Sequence, residues 1–510
     1  MRSIASSNNQ FTGKLLCLFA MAAFLMPAKP LIGEDLTGLS LEDLMNVEVT
    51  SASKRTEKLV DAPAAVFVVT HDEIEQHGYR TLAEALRQVV GFYVSDDRNY
   101  SYIGVRGYAR PGDYNTRILL LIDGVRVNDP LYDMAPIGND APIDMESLDR
   151  IEVVKGPGSA LWGANAVLAV LNLITKQGAD IGGVGLQQDY GSEAHWKSRV
   201  EFGEEWENGL QMAGSVSTIR SDGQRSIYFP AYDDPATNHG LANNLDGETA
   251  SRGFLNASYG DLRLRYFGGR RTKTIPTGSY ETVFNAPGSF TYDNRQSLDL
   301  SYEGHPKGRS ETTLSAHVYH SSYVYDGQYM LDYGYENLVA NRDHDESKTW
   351  GGEIRFAARL GKRAFLTSGM EYADSYRMLL DNYDANPDYA GYANVIGSRS
   401  VRSFYTQAET ELHPKVRLIT GARVDDYSTY GRRWSPRAAL VYRPDPSSTI
   451  KLLRGRAFRA PNFYETSYYD SYSAVANPNL NPETITTSEL VWERNLGSTR
   501  LITSLFRFDL

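Results

Sequence analysis

Two histidines three residues apart, His317 and His320, are the nearest this 510-residue chain comes to a metal-binding pair. They fall in a stretch of strand-like alternation, where a spacing of three sends the rings to opposite faces. They are read as surface or lumen histidines, and no metal site is expected. Paired acids occur at Asp96-Asp97 and Asp425-Asp426. Adjacent strand residues also face apart, so these are loop or lumen charges, not a general acid with its base. The serine-hydrolase, zinc-peptidase and phosphate-loop motifs are absent. An enzymatic reading therefore has no motif behind it, and no cofactor is called for.

Composition narrows the choices. The net charge of −11 argues against nucleic acid as a partner. Lys14 precedes an apolar run at 15–28 that ends in small residues, the pattern of a secretory signal peptide. The run is too short for a membrane anchor, and cleavage is expected near Ala28. The single cysteine, Cys17, lies inside it, so the mature chain would hold neither a disulfide nor a cysteine-ligated metal. With 41% hydrophobic residues the chain looks soluble. A transmembrane β-barrel has the same mean polarity, because lipid-facing and lumen-facing residues alternate along its strands. The 34 tyrosines and 44 glycines suit such a barrel, and equally a secreted β-rich protein.

Along the chain the periodicity changes once. A polar leader at 29–54 contains a capping pattern at Ser40 and Asp43, then VEVTSASKR (47–55), extended by its β-branched content. From 55 to 178 short strands and capped helices mix. AAVFVVT (64–70) reads as a strand, and Thr70 with Glu73 caps HDEIEQH, which Gly78 stops. Thr81 with Glu84 repeats the device for a helix predicted to run to Gly91. FYVS (92–95), IGVRG (103–107), RILLLID (117–123) and IEVV (151–154) are further strands. After Gly182 the helical signal stops, and about fifteen alternating strands follow. Leu262, Leu264, Ile354 and Phe356 lie on one face of theirs, Arg263, Arg265, Glu353 and Arg355 on the other. Long loops are expected at 225–249, 271–290, 326–346 and 379–398, against tight turns at His413-Pro414 and Pro444-Asp445-Pro446.

The stretch Ile151 to Lys176, with its Gly156-Pro157-Gly158-Ser159 turn and Trp162-Gly163, follows IGVRG and RILLLIDGVRVND in order. This order resembles the plug domain of TonB-dependent outer-membrane receptors. SPRAALVYRP (435–444), GRAFRAPNFYE (455–465) and NPNLNPE (477–483) resemble blocks of the same family's barrel. The resemblance covers most of the chain from Val47 onward. It implies a signal peptide at 1–28, a periplasmic leader at 29–54, an α+β plug domain at 55–178 and a transmembrane antiparallel β-barrel at 179–510. The implied location is the outer membrane of a Gram-negative-type envelope.

By the same resemblance, Val47, Glu48, Val49, Thr50 and Ser51 would form the segment that adds a strand to TonB, the periplasmic partner driven by an inner-membrane energising complex. The alternative is that they are the plug's first strand. The outward loops DDRNYS (96–101) and YARPGDYN (108–115) would meet a metal-chelate ligand, through Asp96, Asp97, Arg98, Tyr100, Tyr108, Arg110 and Tyr114. Arg106, Arg117 and Arg126 would form ion pairs between plug and barrel, because buried arginines need acidic partners. The family implies active uptake of a scarce solute, most often an iron–siderophore complex. Cobalamin, another chelate and a carbohydrate stay open, and LIDGVRVND looks as much like cobalamin or colicin receptors. The alternatives outside transport are a secreted β-rich binding or structural protein and a non-functional receptor fragment. Family barrels have 22 strands around a plugged lumen. Roughly fifteen here would leave the barrel incomplete, with a gap rather than a smaller closed wall.

Overall fold

A computed structural model describes residues 48–109, 112–306, 311–385, 390–470, 474–497 and 499–510. The signal-peptide reading, the capping pattern at Ser40, Val47 and Arg110 fall outside these residues.

The described residues open with a two-stranded hairpin, β1 (Glu48–Val49) against β2 (Glu57–Lys58). Next come β3 (Ala65–Thr70), α1 (His71–His77), α2 (Leu82–Leu86), β4 (Phe92–Asp96), β5 (Ser101–Val105), β6 (Ile118–Ile122), β7 (Val125–Arg126) and β8 (Leu148–Lys155). The short helix α3 (Ser159–Trp162), β9 (Ala169–Thr175) and α4 (Gly178–Ile181) complete the first domain. Its central sheet runs β3-β8-β9-β6-β7, with β6 and β9 parallel. Every residue of β6 is buried, which explains its unbroken apolar sequence: both faces of that strand are covered. One face packs Ile74, Leu82 and Leu86 of the helices. The other packs Val49, Leu59 and Trp162.

Thr70 accepts from the Glu73 N–H and the Glu73 carboxylate accepts from the Thr70 N–H, closing the capping box. Gly78 ends α1 at φ 63°. The second helix stops at Leu86, short of Gly91, so the apolar run at 89–90 is not helical. In the Gly-Pro-Gly turn, Gly156 has φ 100°, and a Cβ on Gly158 would lie 2.7 Å from Val170 Cγ2. Close packing and backbone freedom thus explain both glycines.

The second domain is one antiparallel sheet of fifteen strands. These are β10 (Gly183–Tyr190), β11 (Trp196–Glu205), β12 (Leu210–Ser221), β15 (Glu248–Tyr259), β16 (Leu262–Thr274), β17 (Phe290–Gly304), β18 (Thr312–Leu331), β19 (Val339–Leu360), β20 (Ala364–Asp384), β21 (Ala390–His413), β22 (Val416–Tyr427), β23 (Gly431–Asp445), β24 (Ser448–Arg459), β25 (Glu483–Leu496) and β26 (Thr499–Asp509). A small hairpin, β13 (Ser226–Tyr228) with β14 (Leu241–Asn243), and a helical turn, α5 (Phe463–Ser467), lie in its loops. The sheet wraps the first domain and, among the described residues, stays open, because β10 pairs there only with β11 and β26 only with β25. Leu262, Leu264, Ile354 and Phe356 are exposed on the outside. Among the described residues no helix is long and apolar enough to cross a membrane. The alternating strands are the elements that can.

Two of the four predicted loops prove to be mostly strand. The β18–β19 hairpin continues to Leu331 and restarts at Val339, and β20–β21 continues to Asp384 and restarts at Ala390. Tyr and Asp alternate with polar residues there, so the apolar period that marks a lipid-facing strand is lost while the backbone ladder goes on.

Candidate functional site

The two ends of the sheet differ, and each holds part of the predicted site. At the short-turn end lies the leader. Its β1 strand pairs with β2 alone, so among the described residues one edge of β1 carries no ladder. Val49 is nonetheless fully buried. The following turn is held chiefly by one carboxylate. Glu152 Oε2 accepts from the N–H of Thr50 (2.9 Å), the N–H of Ser51 (3.0 Å) and the Ser51 hydroxyl (2.5 Å). Its Oε1 accepts from Arg150 at 3.1 and 2.9 Å. Trp162 Nε1 donates to the Ser51 carbonyl at 2.8 Å. Glu152 is wholly buried, and five donors satisfy its charge. The segment is therefore docked on the plug through side-chain contacts, without joining its five-stranded sheet, and one edge of β1 carries no ladder among the described residues.

Beyond the turn the leader reaches the wall. Lys54 Nζ lies 3.0 Å from Glu353 Oε1 and 2.6 Å from Glu371 Oε1, 4.5 Å above the Trp162 ring and 4.4 Å from that of Tyr405. Arg55 pairs with Glu409 at 2.7 Å and with Glu57 at 3.2 Å. Burial, reinforced by the nearby Glu409 charge, pushes the Glu57 carboxyl up to about 7.

At the long-loop end the plug presents tyrosines. Tyr114 lies against Tyr100 (5.9 Å between ring centroids), Tyr102 (6.2 Å) and Tyr132 (6.0 Å). Tyr132 continues the row to Tyr325 on β18 and to Tyr464 on α5, which stacks on Tyr468 at 4.6 Å. The Tyr114 and Tyr280 hydroxyls are 2.8 Å apart. The Tyr132 hydroxyl donates to Asp345, and that of Tyr100 donates to Asp293 at 3.0 Å. Ring faces and carboxylates from plug, wall and loops thus converge on one rim.

The predicted ligand residues divide. Tyr100 and Tyr114 join the rim. Asp96 accepts from the Arg98 N–H and the Ser101 hydroxyl, and Asp97 from the N–H groups of Asn99 and Tyr100 and the Tyr102 hydroxyl, so both mainly shape their own loop. Arg98 is half-exposed beside Asp246 at 3.8 Å. Tyr108 lies apart, under the Arg117 guanidinium at 5.6 Å.

The three plug arginines also divide. Arg106 donates to Glu489 of β25, with one contact of 3.0 Å, and Arg117 to Glu483 of β25 at 2.6 Å as well as to Asp113. Arg126 departs from the expectation. It donates to Asn165 Oδ1 (2.8 Å) and to the carbonyls of Trp162 and Ala164 (3.1 Å each), all within the plug. Carbonyl and amide oxygens satisfy its donors, so it needs no wall carboxylate. Elsewhere the polarity is reversed: plug acids meet wall cations in Asp129–Arg295 (3.0 Å), Asp144–Arg252 (2.9 Å) and Asp61–Arg443 (2.8 Å). The alternating arginines of the wall strands were the signal for these pairs, as was the Asp129 that ends LIDGVRVND.

His317 and His320 do face apart. His317 Nδ1 contacts Asp299 at 2.9 Å in the lumen, and His320 packs on Trp350 and contacts the Tyr376 hydroxyl outside. Asp425 is buried against Arg423, whereas Asp426 is exposed beside Arg432. Among the described residues no cluster of three or more potential metal ligands occurs.

Comparison with known proteins agrees with this arrangement. Residues 58–170 match the TonB-dependent Receptor Plug Domain, and residues 181–510 match the TonB dependent receptor-like, beta-barrel family. The vitamin B12 transporter BtuB of Vibrio vulnificus is 23% identical over 94% of this chain and 71% of its own length. The iron-regulated outer membrane virulence protein of Vibrio cholerae is 23% identical over 88% of this chain, which spans 66% of that relative. Among solved structures, the ferric enterobactin receptor PfeA superposes with a TM-score of 0.65 at 19% identity, over 88% of this chain and 72% of that one. P. aeruginosa FpvA bound to a pyoverdine superposes with a TM-score of 0.68 at 16% identity, over 92% and 66%. A plug wrapped by an antiparallel wall, matched by both family models along most of its length, makes this chain a member of the TonB-dependent receptor family.

Proposed function

We propose that the chain takes up a scarce metal chelate across the outer membrane, driven by TonB acting on residues 47–51. The observation that carries this is the leader's position. A strand with one free edge is docked at the short-turn end, its following turn held chiefly by the Glu152 carboxylate, opposite a tyrosine rim at the long-loop end. A free edge can accept a partner strand through backbone hydrogen bonds. The rim offers aromatic faces and hydroxyls for a bulky ligand. The ion pairs between plug and wall are polar and so can exchange for water when the plug moves.

An iron–siderophore complex is the leading ligand, in keeping with the receptors whose structures superpose. A corrinoid is the second, supported by the match to a vitamin B12 transporter along 94% of the chain. Outer membranes from cells expressing the chain, titrated with a labelled ferric siderophore and with labelled cyanocobalamin, test the reading. Saturable binding of either, weakened by Tyr132→Ala, supports it. Binding of neither contradicts it.

A further inference from the structure

The tyrosine rim also has a sign of charge. Where β18, β19 and β20 extend beyond the lipid-facing alternation, their register fixes what stands on the face that meets Tyr132. Tyr325 and Tyr329 of β18 pair with Asp345 and Asn341 of β19. Asp343 and Asn341 pair in turn with Asn382 and Asp384 of β20. That face therefore carries three carboxylates and no lysine or arginine. The cations of the same strands are on the other face: Arg342 lies 5.7 Å from the Phe290 ring centroid, and Arg377 pairs with Glu346. Neutral donors orient the three acids without cancelling their charge. Asp345 accepts from the Tyr132 hydroxyl and the Asp381 N–H, Asp343 from the Asn382 amide (2.5 Å), and Asp384 from the Asn341 amide (3.0 Å) and the Tyr392 hydroxyl. Burial pushes the Asp343 carboxyl up to about 6, and burial with the Asp343 charge beside it raises that of Asp345. On the plug, Asp133 follows Tyr132. It is 5% exposed, one of its oxygens lies 3.7 Å from Arg399, and the other has no hydrogen-bond partner among the described residues.

We propose that the rim selects its solute by charge: it takes a chelate that carries an exposed cationic group, such as a protonated amine, and turns away polyanionic chelates. This rests on the uptake reading above and names the class of its ligand. An ammonium group gains twice at such a surface, from the ring faces of Tyr132, Tyr325 and Tyr329 and from the carboxylates between them. The rings are brought together at Gly327, where a Cβ would lie 2.7 Å from the Tyr329 ring, and the Tyr325 and Tyr329 hydroxyls meet there. A neutral chelate gains from the rings alone. An anionic one gains from the rings and is repelled by the acids, with no arginine or lysine on that face to receive it.

The first arm of the test needs neither chelate nor uptake. In a Cys17→Ser background, Tyr464→Cys places a thiol on the rim, at a position whose ring centroid lies 5.4 Å from that of Tyr132. Cationic and anionic methanethiosulfonates are applied to intact cells, and each rate is divided by the rate of the same reagent with free cysteine. The proposal expects the cationic reagent to be favoured at least about 10-fold, and Asp343→Asn with Asp345→Asn to lower that preference at least about 3-fold. Asparagine keeps an acceptor for each donor, and Asp343→Asn alone serves if the pair does not reach the outer membrane. No preference, a preference for the anion, or a preference that these substitutions leave unchanged overturns the proposal. In the second arm, outer membranes are titrated with labelled ferrioxamine B, a ferric trihydroxamate with one free ammonium, with its N-acetylated form and with ferric enterobactin, a polyanionic catecholate. Ferrioxamine B should bind at least about 5-fold tighter than its acetylated form, and ferric enterobactin most weakly; equal or reversed order overturns the proposal. Cation preference at the thiol with none of the three bound would count against the uptake reading and leave the charge selection standing.

Discussion

Replacing Glu152 by alanine tests how the leader is held. In the native protein its carboxylate accepts two backbone N–H groups and one hydroxyl from Thr50 and Ser51, in a site without water access. A hydrogen bond to a charged group contributes about 1.5–3 kcal/mol, and neighbouring bonds of this kind are not additive. The docked turn should therefore lose about 3 kcal/mol relative to an undocked leader. Arg150 keeps Asp149 as a partner at 2.6 Å, which limits the damage to the plug itself. If TonB captures only the undocked leader, its apparent affinity is the intrinsic one scaled by the undocked fraction. A shift of 3 kcal/mol then tightens binding by roughly 100-fold, up to the point where the undocked form dominates. Titration of the purified periplasmic domain of TonB against detergent-solubilised native and Glu152→Ala protein measures this. Equal affinities, with circular dichroism showing an intact plug, would refute the carboxylate's role as the latch.

Val49→Pro should abolish energised uptake while leaving surface binding of ligand intact, because proline removes a strand donor and fixes φ; separate binding and uptake assays check it. Glu57 is raised to about 7, so its proton is held by the folded state over the range from its unfolded value to that pH. The stability it contributes is complete below the unfolded value and is lost as pH rises through about 7. Protease sensitivity of the leader should accordingly increase between pH 5 and pH 8, and Glu57→Gln should flatten that profile. Arg106→Ala leaves the Glu489 carboxylate unpaired in a buried interface, at a cost of about 3–5 kcal/mol. A thermal melt of the solubilised protein should show the loss, and Arg106→Ala with Glu489→Ala should recover part of it.

The sequence carried the architecture because the relevant periods are local. The Thr70–Glu73 and Thr81–Glu84 caps, the apolar run of β6 and the alternation around Leu262 and Ile354 each mark their element without distant information. The outer extensions of β18 to β21 were not legible. Residues such as Asn341, Asp343 and Asn382 face one another there, and the apolar residues among them form no regular stripe that marks the pairing. The site was legible in part. Aromatic and charged plug loops pointed to the rim through Tyr100 and Tyr114. The role of Tyr132 depends on Tyr325 and Tyr464, nearly 200 and over 300 residues away in sequence. Glu152 looks like any strand acid until the leader lies on it, and Lys54 gains meaning only from Glu353 and Glu371. Arg126 misled because a half-buried guanidinium can be satisfied by carbonyl oxygens, which sequence spacing does not reveal.

The central claim, TonB-driven uptake of a metal chelate through this plug and wall, meets its most direct test in cells whose only such receptor is this chain. Accumulation of labelled ferric siderophore and of labelled cyanocobalamin is followed with and without TonB. The account predicts that at least one accumulates, that loss of TonB or Val49→Pro stops it, and that binding at the surface persists. Accumulation that is equal without TonB, or absent for both chelates while the protein is folded in the outer membrane, would contradict it.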